Sequence, residues 1–374
     1  MERLKIMVLA NDTTYTYNLR RELLIRMIAE GHKVTLACEL LRFQDELSQM
    51  GCRLINISTG RRGTNPLNDL LLLLRYLSII RNNKPDVVLS YNIKPNIYGG
   101  IACRLLHIRY YPNITGLGKP MKYPGLLQKL TIGLCKIGMH NANAVFFQNS
   151  ENESFFRQRN ILTDKTKTVM LPGSGVNLQQ HKLEPYPKEE STLLFLVVGR
   201  IMREKGTDEV LYAAEVIKRK YPNVIFRFLG DYDGDYEKKI DNAVRKGTIE
   251  YIGHVADVHS HLKECHAIVH ASYHEGMANV LLESAACGRP IVATEVPGCK
   301  ETFDEGISGF SCQARNADSL IAAICKFIEL PYVEKEKMGL AGRLKMVREF
   351  DRDFVVEKYL EEIRSPRIVG EEDV

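Results

Sequence analysis

Short apolar runs alternate with helix-period stretches along almost the whole chain, and this narrows the possible fold more than any other feature. Strand, helix and strand in succession bury their apolar faces together only in a parallel sheet with helices on both sides. In the first half, strands are expected at residues 4–9, 33–37, 53–57, 86–89, 109–113, 144–147 and 168–171. Helices are expected there at 18–30, 67–82, 96–106, 125–140 and 150–158. The interval HKLEPYPKEES (181–191), with Pro185, Pro187 and many charges, reads as a linker. A second unit follows, with strands at 193–198, 224–229, 249–252, 267–270 and 291–293 and closing helices at 317–328, 333–345 and 352–363. The length, 374 residues, exceeds one ordinary core. The expected architecture is therefore α/β, two Rossmann-like domains (1–182 and 190–348) facing across a cleft, with ligand at the carboxyl ends of their parallel strands.

Composition bounds the function. The chain is 45% hydrophobic and 26% charged, as globular proteins are. No apolar run reaches the roughly 18 residues of a membrane span; the most apolar stretch, 70–80, contains Arg75 and reads as a core helix. The start, ERLKIMVLA, resembles a first strand without a signal-peptide pattern. The nine cysteines are scattered without a C-x-x-C pair, so free thiols in a cytosolic protein are expected rather than disulfides or a zinc cluster. Net charge is +5, divided as +12 over residues 1–180 and −7 over 181–374. Residues 87–150 hold no acid at all but include Lys94, Arg104, Arg109, Lys119, Lys122, Lys129 and Lys136. A basic half suggests an anionic partner: nucleic acid, a membrane surface or a diphosphate-bearing lipid.

Two segments of the second unit carry the chemistry. In HEGMANVLLESAACGRPIVAT (274–294), a helix is expected to begin near Ala278-Asn279 and to end at Gly288, before Pro290. Glu275 then precedes the helix and Glu283 lies within it, with a helix N-terminus able to attract phosphate between them. Gly276 and Ala278 are small enough for a ligand to approach. Eight helical residues span roughly 12 Å at most, comparable with the distance from sugar to ribose in a nucleotide sugar. Taken alone, two glutamates at this spacing also fit a solvated helix face. In VVGRIMREKG (197–206), a strand ends at Gly199-Arg200 and a helix opens at Lys205-Gly206. Arg200 and Lys205 can clamp a diphosphate, the arginine bidentately and the lysine as a point charge; the plainer alternative is a solvated basic loop.

Other candidates are weaker. Asp231 and Asp233 in LGDYDGDYE invite an Asp-x-Asp metal reading, but with two cations available no metal is needed, and none is expected. Six of ten histidines fall at 254–274; His266, His270 and His274 have helical spacing on a predicted strand, so packing is preferred over zinc. In the first unit, SYNIKPNIYGG (90–100), NITGLG (113–118) and FFQNSENESFF (146–156) follow predicted strands. They offer Lys94, Gly116, Gly118 and Asn149 as acceptor-side candidates. In residues 121–140, Leu126, Leu127, Leu130, Leu134 and Ile137 share a helical face flanked by Lys122, Lys129 and Lys136. That helix suits either an anionic membrane surface or a core, and the absence of acids favours the membrane.

The EGM, LLE, GRP and IVAT elements around Glu275 and Glu283, with the Gly199-Arg200 and Lys205 loop, resemble the donor site of retaining glycosyltransferase family 4, whose members have the GT-B fold. The resemblance covers roughly residues 4–363, and is greatest to bacterial transferases that build capsule, O-antigen and protein-linked glycans. It implies a nucleotide-sugar donor, usually UDP-linked, and a polyprenyl-diphosphate-linked acceptor. It further implies retention of anomeric configuration, and no metal or other cofactor. Arg200 and Lys205 would hold the leaving diphosphate, Glu275 the sugar hydroxyls and Glu283 the ribose. Gly199, Gly276, Met277, Ala278, Asn279 and Val280 would line the donor. A last helix, about 350–365, would return to the first domain, and 365–374 would form a tail. Relatives often place a histidine near Tyr91-Asn92; this chain has none there, so no catalytic histidine carries over. On this reading Arg200→Ala or Lys205→Ala lowers turnover by orders of magnitude with little effect on melting. The expected location is cytoplasmic, peripheral on the inner face of the plasma membrane. The rivals are a UDP-sugar epimerase of GT-B fold, which needs no acceptor, and a basic nucleic-acid-binding protein, for which no motif speaks.

Overall fold

The computed structural model describes residues 3–58, 65–122, 124–188 and 192–365. The chain divides into two compact units: Met1–Ser174 joined by the segment from Asp353, and Gly175–Arg352.

The first unit contains seven strands: β1 (Lys5–Asp12), β2 (Lys33–Glu39), β3 (Arg53–Asn56), β4 (Val87–Tyr91), β5 (Arg109–Ile114), β6 (Val145–Phe147) and β7 (Thr168–Met170). They form one parallel sheet in the order β3-β2-β1-β4-β5-β6-β7. Every residue of β4 is buried, because helices cover both faces and leave no polar side to alternate with. Separate apolar clusters lie on the two faces, one around Val8, Leu24 and Leu36, the other around Met7, Tyr76 and Val88. The first helix, Thr13–Ala29, starts as soon as β1 ends and not at residue 18, because Asp12 caps it: its Oδ1 accepts from Tyr15 N at 2.7 Å.

The second unit contains β8 (Leu193–Val198), β9 (Val224–Leu229), β10 (Glu250–Gly253), β11 (Ala267–His270), β12 (Ile291–Thr294) and β13 (Gly309–Cys312). This sheet is also parallel, in the order β10-β9-β8-β11-β12-β13. The pattern reading missed β13, since GFSC is short and glycine-led; Gly309 is required there because a Cβ would lie 2.3 Å from Ile291 O. In each sheet the chain builds outward one way, then returns to the centre and builds the other way. The reversal falls between β1 and β4 in the first sheet and between β8 and β11 in the second, and the loops leaving those neighbours diverge to open a crevice.

Two expectations change and a third is met. The linker at 181–188 is packed onto the second unit: Tyr186 is buried, and its hydroxyl donates to His266 O at 3.0 Å; positions 189–191 lie outside the described residues. The apolar helix Pro66–Asn83 is only partly core. Leu72, Tyr76 and Ile80, four residues apart, are buried, while Leu67, Leu70, Leu71 and Leu74 are exposed. The closing helix Arg352–Arg364 packs into the first unit, as the resemblance implies: Val356, Tyr359, Leu360 and Ile363 join its core, and Tyr111 Oη donates to Glu362 O at 2.9 Å. The expected tail at 366–374 lies outside the described residues.

Candidate active site

The second unit's reversal point brings together the two loops singled out in the sequence. After β8, Gly199 (φ +145°) turns the chain and Arg200–Met202 runs beside the loop after β9, with Ile201 N on Asp231 O at 2.9 Å and Asp233 N on Ile201 O at 3.0 Å. Thr207 closes the loop by accepting from Met202 N (3.1 Å) and donating to Met202 O (2.9 Å). Gly206 (φ +69°) is the point of closest approach: a Cβ there would lie 2.1 Å from Ala271 O. The following loop is fastened to it, with Tyr273 N on Glu204 O at 2.9 Å and Ser272 Oγ on the same carbonyl at 3.3 Å.

Glu275 lies where the two loops meet. Its Oε1 accepts from Lys205 Nζ and is 3.0 Å from His270 Nε2 at the end of β11. Burial alone would push this carboxyl up. The Lys205 ammonium and the His270 hydrogen bond outweigh burial and hold it well below the usual carboxylate range. Arg200 lies farther out, more than half exposed, with Nη1 3.0 Å from Asp233 Oδ2. Thus each cation of the proposed clamp already faces a carboxylate. Asp231 faces His254 Nδ1 at 3.4 Å, so the two aspartates of the Asp-x-Asp pattern turn to different partners.

Gly276 and Met277 lead into the helix Asn279–Ala286, close to the sequence expectation, and Gly288 (φ +75°) follows its end. Among the described residues no side chain caps its N-terminus. Ala278 N donates to Gly298 O at 2.8 Å, bringing in the loop after β12 as a third wall; Thr294 Oγ1 also ties that loop to Ser272 O at 2.6 Å. Asn279 Oδ1 is buried without a hydrogen-bond partner among the described residues. Val280 and, one turn on, Glu283 are half-buried. Burial pushes the Glu283 carboxyl up to about 7, opposed by the Arg352 charge. It makes no hydrogen bond or ion pair among the described residues. One glutamate is thus firmly ionised and the other balanced near neutrality. Pattern reading missed His270, assigned to packing; its position five residues before Glu275 at a strand end was the available signal. His266, just before β11, accepts from Leu194 N at 3.0 Å, so His266 and His270 do not converge.

The first unit's candidates gather less tightly. Lys94 pairs with Asp69 at 2.8 Å. Gly116 (φ +152°) and Gly118 (φ +64°) follow β5, and a Cβ on Gly118 would meet Ile93 Cδ1 at 2.5 Å. Asn149 caps the helix Ser150–Gln158, its Oδ1 accepting from Asn152 N at 2.8 Å, so its place at a strand end is accounted for by helix capping. Asn92 is a stronger candidate than the sequence suggested. It has φ +75° at the end of β4, beside the reversal point, and its Oδ1 is buried without a partner among the described residues. Beneath these loops lies a buried polar network in which Ser90 Oγ donates to Asn96 Oδ1 (2.7 Å), Asn96 Nδ2 to Asn113 O (2.8 Å) and Tyr359 Oη to Asn113 Oδ1.

Comparison with known proteins agrees with this fold. The family Glycosyl transferase 4-like matches residues 5–149, and the family Glycosyl transferases group 1 matches residues 179–345. The chain is similar to N,N'-diacetylbacillosaminyl-diphospho-undecaprenol alpha-1,3-N-acetylgalactosaminyltransferase of Campylobacter jejuni, 26% identical over 340 residues, covering 85% of this chain and 88% of that protein. It is 24% identical to the capsular polysaccharide biosynthesis glycosyltransferase CapM of Staphylococcus aureus over 329 residues, covering 84% and 85%. Among solved structures, Anabaena HepE in complex with UDP and glucose superimposes with a TM-score of 0.77 at 16% identity, covering 96% of this chain and 99% of that one. Sucrose-phosphate synthase from Thermosynechococcus elongatus does so with a TM-score of 0.76 at 18% identity, covering 96% and 98%. The two sheets, the meeting of the Lys205 and Glu275 loops and these matches together identify the chain as a glycosyltransferase of family 4, with the GT-B fold.

Proposed function

We propose that the protein transfers a hexose or N-acetylhexosamine from a UDP-linked donor to a polyprenyl-diphosphate-linked glycan, with retention of anomeric configuration. The observation that carries this reading is the Lys205–Glu275 pair at the uncapped start of the helix Asn279–Ala286. There a cation, an ionised carboxylate and the Asn279 and Val280 amides, which have no acceptor among the described residues, sit together at a strand-order reversal. The donor diphosphate would draw Arg200 from Asp233 and Lys205 from Glu275. Those cations then stabilise the charge that grows on the leaving nucleoside diphosphate. Glu275, released from Lys205, accepts hydrogen bonds from sugar hydroxyls, and Glu283 from the ribose. Support for UDP comes from the UDP-bound Anabaena structure, and for a lipid-diphosphate acceptor from the name of the Campylobacter relative. Retention rests on the family resemblance, and the alpha linkage in that name is compatible with it.

Peripheral membrane contact belongs to the same proposal. No helix among the described residues is long and apolar enough to cross a membrane. The helix Leu126–Met139, however, buries Gln128, Thr131, Ile132 and Cys135 and turns Leu126, Leu127, Leu130 and Ile137 outward. With the exposed leucines of Pro66–Asn83 and no acid from 87 to 150, this suits an anionic lipid surface. The side chain of Lys122, and Tyr123, lie outside the described residues.

The test is a thermal-shift screen of nucleotide sugars, followed by turnover of the stabilising donor with an undecaprenyl-diphosphate-linked sugar. Stabilisation by a UDP-sugar and acceptor-dependent release of UDP are expected. Formation of an epimer from donor alone would favour the epimerase, and stabilisation by no nucleotide sugar would end the reading. Flotation with anionic vesicles at low salt tests the membrane contact, and failure to bind them would refute it.

A further inference from the structure

At the opposite end of the donor-site helix, three metal-ligating side chains from separate segments come together. Cys287 closes the helix Asn279–Ala286, His259 opens the helix His259–Glu264, and His181 comes from the packed segment before β8. Their ligand atoms all lie within 4.8 Å of one another. Cys287 and His181 are buried and His259 is half-buried, which leaves one side open to solvent. We infer that His181, His259 and Cys287 form a binding site for zinc or a similar thiophilic divalent cation, in which Glu184 orients His259.

The local chemistry supports this. His259 Nδ1 is 3.4 Å from Cys287 Sγ, and tetrahedral zinc with Zn–S near 2.3 Å and Zn–N near 2.0 Å places nitrogen and sulfur about 3.5 Å apart. The other ring nitrogen, Nε2, lies 3.0 Å from Glu184 Oε1. Carboxylate, imidazole and thiol are therefore in line, and the carboxylate fixes the tautomer that leaves Nδ1 free to ligate. Glu184 is almost fully buried. Besides His259, it faces Lys263 Nζ at 3.7 Å and Lys182 Nζ at 4.0 Å. A cysteine ligates a metal only as its thiolate, so a thiolate signal at this position would report coordination. Two histidines, one thiolate and a solvent-open fourth position suit zinc or cobalt, and would exclude magnesium and calcium, which prefer oxygen ligands.

The consequence is structural. The segment carrying His181 and Glu184 crosses the end of the helix, where Glu184 N donates to Cys287 O at 3.3 Å and Arg343 Nη1 donates to both His181 O (2.7 Å) and Ala286 O (2.8 Å). A metal would fasten this strap to the helix whose other end forms the candidate donor site.

Cobalt(II) titration of the purified full chain, followed by absorption spectroscopy, tests the inference. The expected result is one equivalent bound with a thiolate-to-cobalt charge-transfer band and tetrahedral ligand-field intensity. Cys287→Ser should abolish the charge-transfer band, and His259→Gln and His181→Gln should each weaken binding. Glu184→Gln should weaken it by roughly 10- to 100-fold with the band retained. Wild-type protein that shows no thiolate band with cobalt overturns the inference whether or not the variants fold. A band that persists in Cys287→Ser assigns the metal to another cysteine and overturns it equally.

Discussion

Replacing Glu283 with glutamine should make the protein more stable and a worse enzyme. The carboxyl is raised from 4.5 to about 7 because the folded chain buries it without a hydrogen-bond partner among the described residues. A group raised in this way contributes nothing unfavourable while protonated, and stability declines as pH rises from the unfolded value through the folded one. The difference of about 2.5 units, at about 1.36 kcal/mol each, makes ionised Glu283 cost about 3 kcal/mol above pH 7. Glutamine keeps the shape without the charge. Urea denaturation of Glu283→Gln at pH 8 should therefore give an unfolding free energy higher by about 2–3 kcal/mol. Melting should rise by roughly 4–12 °C for a unit of this size. At pH 4.5 the two proteins should be nearly equal. Binding should move the other way: UDP affinity should fall roughly 10- to 100-fold, since a hydrogen bond to a charged group contributes about 1.5–3 kcal/mol. An equal stability difference at both pH values, or none at pH 8, would refute the burial argument; unchanged UDP affinity would refute the ribose assignment.

Lys205→Met removes the cation from a largely buried Glu275. It should destabilise by about 2–3 kcal/mol, somewhat less than a fully enclosed pair would. Adding Glu275→Gln should recover at least ~1 kcal/mol in a double-mutant cycle read by urea denaturation, and simple additivity would count against a coupled pair. This revises the sequence-based expectation that Lys205 could be removed with little effect on melting. Arg200→Ala, by contrast, breaks an exposed pair with Asp233 that contributes at most about 1 kcal/mol. Its melting temperature should hardly change while turnover drops by roughly 10²- to 10³-fold; normal turnover would remove Arg200 from the leaving-group site. Gly206→Ala must fit a Cβ 2.1 Å from Ala271 O at φ +69°. It should lose about 2 kcal/mol or more of stability together with donor stabilisation, and a wild-type melting curve would show that the two loops are not locked together.

Much of this was legible in the sequence because its causes are local. Parallel strands buried on both faces leave continuous apolar runs such as VVLSY and LLFLVV, and glycine and proline punctuate the helix ends around 274–290. What went unread depended on partners distant in sequence. Leu67, Leu70, Leu71 and Leu74 look like core because periodicity records an apolar face but not whether a neighbour covers it. His270 looked like packing because its partner Glu275 reaches it only where the chain turns back from β11. The segment 181–188 looked like a linker because its prolines and charges mask Tyr186, which packs inward, and Glu184, which is buried beside His259.

The order of strands and helices, the two-domain scale and the residue types of the donor loops are fixed by patterns that span a few residues, so the chain alone determines them. Strand order is different: it places β8 beside β11, and only that adjacency brings the Lys205 ammonium onto Glu275 across 70 residues. Charge states follow from the same packing. Glu275 is held ionised by neighbours and Glu283 is driven towards neutrality by burial, although the two are the same residue in the same short segment. Desolvation and Coulomb energy depend on what surrounds a group in three dimensions, and that environment exists only once the chain has folded.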